Sequence, residues 1–311
     1  MERMKAHFEV VKDMFHGYDY HQFFTAPTQQ RMGIMMDAME HILAQEKGKD
    51  RYLKETSNLL YSFAVAMPAD EAVKIRDDVG FFQAVKAAIV KNTDTKTVQA
   101  QNMDTAIKQI LSEAIVSDRV IDVFAAAGLK KPNIELLSDE FLENVRELPQ
   151  KNLAFETLKK LLNDQIKFRQ KKNLIQARSF EDLLDKAIRA YINKSVETAQ
   201  VIEQLIELAK KMRDEQNRGA KLNLSEEEVA FYDALADNES AKQVLGDKTL
   251  KLMAHELVDM IRGNVTIDWT IRENVQAKLR VMVKKLLKRH GYPPDMQEKA
   301  TETVLLQANI L

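Results

Sequence analysis

Between Ser179 and Gly219 the chain runs on without a single proline or glycine. Apolar residues recur along it at Phe180, Leu184, Ile188, Tyr191, Ala199, Ile202, Ile206 and Ala209, with Leu183, Ala187, Ile192, Leu205 and Met212 beside them. Spacings of three and four residues make a wide apolar stripe on one face of an α-helix. Ser179 is suited to cap the start, because its hydroxyl can accept from a first-turn N–H. Gly219 is suited to end it, since glycine enters the left-handed conformation without strain. One helix near 179–217 would measure about 55 Å at about 1.5 Å per residue, so other helices must pack along it. Asn193-Lys194-Ser195 is the expected place for a break.

The rest of the composition agrees with a helical chain. Nine glycines and six prolines in 311 residues fall well below the roughly 12% usual for the two together, which disfavours turn-rich all-β folds. The length favours two domains. We expect an all-α multi-helix bundle in two helical subdomains, 1–130 and 150–311, organised around the long helix. The 46 basic residues nearly balance the 47 acidic ones, so any basic surface is local. Absence of cysteine removes disulfides and thiolate metal sites and fits a reducing, cytoplasmic setting. Neither a signal core nor about 18 continuous apolar residues is present, so no membrane role is expected.

Along the chain, helices are expected at 4–16, from Pro27, at 51–66 and at 69–91. Met32, Met35, Met36 and Met39 form a stripe that reads as core before it reads as an adaptable groove. Residues 91–101 read as a loop, with helices at 103–116 and 118–126 and a break at 128–133. Extended residues are expected at most near 134–137 and 264–269. Ser138 is a cap. Ser225 with Glu228, and Thr270 with Glu273, form capping boxes for helices at 226–236 and 271–289. Another helix covers 248–262, and Pro293-Pro294 turn the chain into a last helix at 294–310. Trp269 is expected in the core.

The chain lacks the motifs of several chemistries. Asp70-Glu71-Ala72 superficially resembles the acidic motif of helicase motors, but Pro68 interrupts its approach and no G-x-x-x-x-G-K-[ST] loop exists to hold phosphates. His255-Glu256 opens a zinc pattern, yet position 259 is Asp and no third ligand is evident. No nucleophile elbow occurs. Two basic clusters remain as candidate DNA or partner contacts. One holds Lys167, Arg169, Lys171, Lys172 and Arg178. The other, on helix 271–289, holds Lys278, Lys284, Lys285, Lys288 and Arg289. Clusters of this kind attract nucleic-acid phosphates or an acidic protein.

Long strings of this sequence resemble a known family. NLAFETLKKLLNDQIKFRQKKNLIQARSF (152–180), LSEEEVAFYDALA (224–236) and TIDWTIRENVQAKLRVMVKKLLKRHGYPPDMQEKAT (266–301) are similar to the C-terminal helical region of type I restriction enzyme R subunits. FEVVKDMFHGYDY (8–20), Phe81-Phe82-Gln83-Ala84-Val85 and SDRVIDVFAAAGLKKPNIELLSDEF (117–141) extend the resemblance over nearly the whole chain. It implies a parent subunit with a nuclease domain for Mg²⁺-dependent cleavage and two ATP-driven DNA-translocating motor domains. That subunit joins a methyltransferase of modification and specificity subunits. It implies for this chain a piece without catalytic or cofactor-binding residues, bracing the motors and docking to the methyltransferase through helices 271–289 and 294–310. The alternative reading is a free-standing helical module that binds nucleic acid.

Overall fold

The computed structural model describes residues 1–93, 138–264 and 273–310. Among these there are fifteen α-helices and no strand, so the all-α expectation holds. The helices at 103–116 and 118–126, the break at 128–133, the extended piece at 134–137, the Thr270 capping box and Trp269 lie outside the described residues, as does the piece expected at 264–269 except for Asn264, which is helical. Two compact units form, one from Met1–Leu161 with Ala190–Ile206, the other from Leu162–Arg189 with Glu207–Leu311.

The first unit opens with α1 (Glu2–Asp13), α2 (Gln22–Thr25), α3 (Thr28–Leu43), α4 (Gly48–Ala66), α5 (Asp70–Lys74) and α6 (Arg76–Thr93). Helix α1 packs on α4, and α4 packs on α6. Aromatic rings fill the space between them. Phe15 stacks on Phe82 at 5.4 Å and meets Tyr52 edge-on at 5.7 Å. Tyr52 is buried, and its hydroxyl donates to the Phe82 carbonyl at 2.9 Å. Burial raises its pKa well above the ordinary phenol value. Met35, Met36 and Met39 are core, so the methionine stripe is packing. The single helix expected over 69–91 is two, because Ile75 (φ −102°, ψ 8°) leaves helical geometry between α5 and α6.

Helix α7 (Asp139–Glu147) starts at Ser138, whose hydroxyl accepts from the Phe141 N–H at 3.2 Å, as the sequence indicates. Helix α8 (Lys151–Gln170) follows Pro149. Its start is held by Glu40 of α3, whose carboxylate accepts from the main-chain N–H groups of Asn152 (3.1 Å) and Leu153 (2.9 Å). A negative group there satisfies orphan donors and complements the helix dipole.

The stretch near 179–217 is not one helix. It divides into α9 (Leu174–Ile192) and α10 (Thr198–Gln216), with the break at Asn193-Lys194-Ser195 as expected. Lys194 takes the left-handed conformation (φ 48°). The Ser195 N–H donates to the Ala190 carbonyl and the Lys194 N–H to Tyr191, the two bonds of a Schellman stop. Ser179 lies inside α9. Asn173 caps that helix instead, its Oδ1 accepting from the Gln176 N–H at 3.0 Å. Gly219 falls within the short α11 (Arg218–Leu222), and the left-handed stop is Asn223 (φ 55°).

In the second unit, α12 (Glu226–Ala236) begins with the expected capping box of Ser225 and Glu228. Helix α13 (Glu239–Asn264) is longer than the expected 248–262 and is interrupted at Gly246, whose φ of 71° only glycine adopts cheaply. Helices α14 (Glu273–Arg289) and α15 (Gln297–Ala308) complete it. Helix α12 packs on α13 and α15, and α14 on α15. Phe231, Leu235, Leu250, Met253, Leu279, Val283 and Val304 make the core they share. Tyr292 ties the turn between α14 and α15 inward, donating to the Leu235 carbonyl at 2.8 Å.

Candidate partner or nucleic-acid interface

The first basic cluster does not act as one surface. Arg169 is buried in the last turn of α8. Its Nη2 donates to the Met212 carbonyl at 2.6 Å, its Nη1 to Gln176 Oε1 at 2.9 Å, and its guanidinium lies over the Phe180 ring. Burial pulls its pKa below the usual guanidinium range. It is therefore withdrawn from the contact surface, because it stands three residues after Ile166 and seven after Leu162, on the buried face of α8. Lys172 pairs with Glu226 at 2.9 Å and leans over Phe168. Lys167, Lys171 and Arg178 are exposed.

The second cluster also splits. Lys284 pairs with Glu298 of α15, and Arg280 sits 3.1 Å from the same carboxylate. Arg289 reaches Glu256 of α13 at 3.4 Å. Lys278, Lys285 and Lys288 are exposed and enter no ion pair among the described residues. The expected apolar end of the chain is largely consumed as well: Val304 and Ala308 are core, and Leu306 is the large apolar residue of α15 that stays exposed.

Asp233 and His255, the other candidate groups of this unit, hold the fold. Asp233 stands within the otherwise apolar run of α12 and is buried. Its two oxygens accept from Arg218 Nη1 and Asn173 Nδ2, both at 2.7 Å. Burial raises its pKa, with Arg218 opposing. The shallow cleft beside it, lined by Gln176, Phe180, Glu215, Arg218 and Lys242, thus has its central charge already matched. A lone acid inside an apolar run was the sequence signal for this network. His255 bridges two carboxylates, with Nδ1 2.5 Å from Glu228 and Nε2 3.5 Å from Asp259. The acids sit on opposite ring nitrogens, so they cannot share one metal ion with it.

The acidic pair Asp70-Glu71 does not form a Mg²⁺ site. Asp70 and Glu71 are exposed in the first turn of the five-residue α5, where acids favour the helix dipole. Among the described residues no three His, Asp or Glu side chains gather to hold a metal. No described helix is long and apolar enough to cross a membrane.

The described residues thus define an all-α helical chain in which part of each basic cluster is paired and Lys167, Lys171, Arg178, Lys278, Lys285 and Lys288 stay exposed. Over residues 1–311 it matches the family described as type I restriction enzyme HindI endonuclease subunit-like, C-terminal, and the chain belongs to that family. It is 32% identical over 263 residues to the type I restriction enzyme HindI endonuclease subunit of Haemophilus influenzae, covering 85% of this chain and 25% of that protein. It is 30% identical over 293 residues to the MjaIXP type I restriction enzyme endonuclease subunit proposed for Methanocaldococcus jannaschii, covering 94% of this chain and 28% of that protein. The chain thus spans about a quarter of the length of these relatives. No solved structure matches it.

Proposed function

We propose that this chain is the non-catalytic helical region of a type I restriction endonuclease subunit. It braces the ATP-driven DNA translocase and docks it to the methyltransferase core of modification and specificity subunits in the cytoplasm. The observation that carries this reading is the match to the C-terminal family along the whole chain. The residues add two supports. Their charges are spent on holding helices together, and exposed lysines remain on α14. ATP, Mg²⁺ and DNA cleavage belong, on this reading, to other parts of the parent subunit. The test is direct: the chain alone hydrolyses no ATP and cuts no DNA, with or without Mg²⁺. DNA-stimulated ATP hydrolysis by a homogeneous preparation overturns the non-catalytic assignment.

A second reading is contact with DNA. It draws on Lys171 and Arg178, which are exposed and enter no ion pair among the described residues. It covers a free-standing nucleic-acid-binding module as well as a DNA-facing patch in the assembled enzyme. Such contacts weaken steeply as salt rises, because each releases a counterion.

A further inference from the structure

Resting on the docking reading above, we propose that one face of α14 receives an acidic amphipathic helix of the partner protein. At 100° per residue, Ala277, Lys278, Val281, Lys285 and Lys288 fall on one side of this helix. All five are exposed, Val281 to 51%. Leu279, Val283, Leu286 and Leu287 are buried on the other side. Arg280 and Lys284, at the border, are turned toward Glu298. The exposed face thus keeps three lysines that enter no ion pair among the described residues, and a narrow apolar seam.

Charge and spacing together point to the occupant. Ala277 and Val281 are four apart, the d-to-a step of a coiled-coil seam, and the next two seam positions in that frame are Lys284 and Lys288, so the apolar seam is one step long and lysines continue it. Lys278 and Lys285 then occupy the flanking positions, where a partner helix presents acids. The small seam residues let a second helix approach closely, and the lysines set its sign. Nucleic acid fits less well. A phosphate backbone answers the lysines but offers little apolar surface to cover Val281. The seam is short, so the contact buries less than about 1,200 Å² by itself. Its lysines contribute chiefly to encounter rate and to rejection of basic partners.

The experiment is capture of the full chain by the cognate methyltransferase, comparing wild type with V281D and with K278E/K285E/K288E. All these positions are exposed, and circular dichroism checks that each variant keeps its helices. The milder K278A/K285A/K288A serves if charge reversal disturbs the fold. The expected result is a loss of affinity of about tenfold or more for both variants, the scale of a central interface residue. Equal capture of wild type and variants overturns this inference and leaves the docking reading intact. Loss with the lysine variant but not with V281D assigns the face to charge alone, as for nucleic acid, and also overturns it. A wild-type chain that is not captured overturns the docking reading and this inference together.

Discussion

Gln307 and Lys172 lie 135 positions apart, yet the Gln307 side-chain amide donates to the Lys172 main-chain carbonyl at 2.8 Å. The same amide's oxygen accepts from the Leu174 N–H at 2.9 Å. Gln307 is fully buried, so one side chain of α15 satisfies both a carbonyl and an N–H of the turn between α8 and α9. Replacing it with leucine keeps the volume and strands both groups. We expect Gln307→Leu to lower stability by about 1–3 kcal/mol, since each of the two partly buried groups loses a hydrogen bond worth about 0.5–1.5 kcal/mol net. Urea denaturation measures it, and a change below about 0.5 kcal/mol contradicts this role.

The last helix is therefore core before it is a dock. A chain ending at Pro294 removes Val304, Ala308 and Gln307 together. It is expected to lose the cooperative fold of the second unit, seen as loss of hydrogen-exchange protection in α12 and α13. Retained protection there contradicts the packing described.

Arg169 is expected to separate from the other members of its cluster. Arg169→Ala lowers stability by about 2–3 kcal/mol, the range for hydrogen bonds to a charged group plus the stranded Met212 carbonyl. The double substitution K171A/R178A at exposed positions leaves stability within about 0.5 kcal/mol. Any DNA binding at low salt follows the double variant. Thermal denaturation and a salt-resolved binding titration on the same samples distinguish the two roles.

How far these features were legible follows from what sets each one. Periodic apolar spacing and capping residues are local, so the all-α class, the Ser138 cap, the Ser225–Glu228 capping box and the break at Asn193-Lys194-Ser195 could be read from sequence. Gly219 looked like the stop, but α10 already ends at Gln216 and the left-handed residue that follows is Asn223, at the end of α11, since either residue type tolerates that conformation. Ser179 looked like a cap, while Asn173 caps α9 with one amide that also reaches Asp233. Choosing between them depends on a residue 60 positions away, which no local pattern carries. The same holds for the basic clusters. Which cations are spent is decided by Met212, Glu226, Glu256 and Glu298, all brought in by folding.

Lys194 offers a stabilising change. It sits at φ 48° in a stop of the same kind that Gly291 makes at φ 71° after α14. Lysine in that conformation is strained and glycine is not. Lys194→Gly is expected to raise stability by about 0.5–1 kcal/mol, with the loss of chain entropy partly offsetting the relief. Chemical denaturation checks the sign.

His255 gives a pH dependence. Glu228 bonded to its ring, with Asp259 next, raises the His255 pKa above 6.5, while His255 lowers that of Glu228 below 4.5. Glu256 adds a further negative charge. A raised histidine contributes stability that is complete below 6.5 and is lost as pH rises through its folded value. A lowered carboxylate contributes stability that is complete above 4.5 and is lost as pH falls through its folded value. The Tm difference between wild type and His255→Gln is therefore expected to peak between about pH 4.5 and 6.5 and to vanish in the alkaline range. A difference that grows above neutral pH contradicts the pairing.

The central claim is that this helical region joins its subunit to the methyltransferase without chemistry of its own. Calorimetric titration of the full chain into the assembled modification–specificity methyltransferase, without ATP or Mg²⁺, tests it most directly. The account predicts saturable binding at a fixed stoichiometry that persists when ATP and Mg²⁺ are withheld and weakens as salt screens the α14 lysines. No heat of binding at concentrations up to about 100 μM, where even a contact of about −5.5 kcal/mol registers, contradicts it.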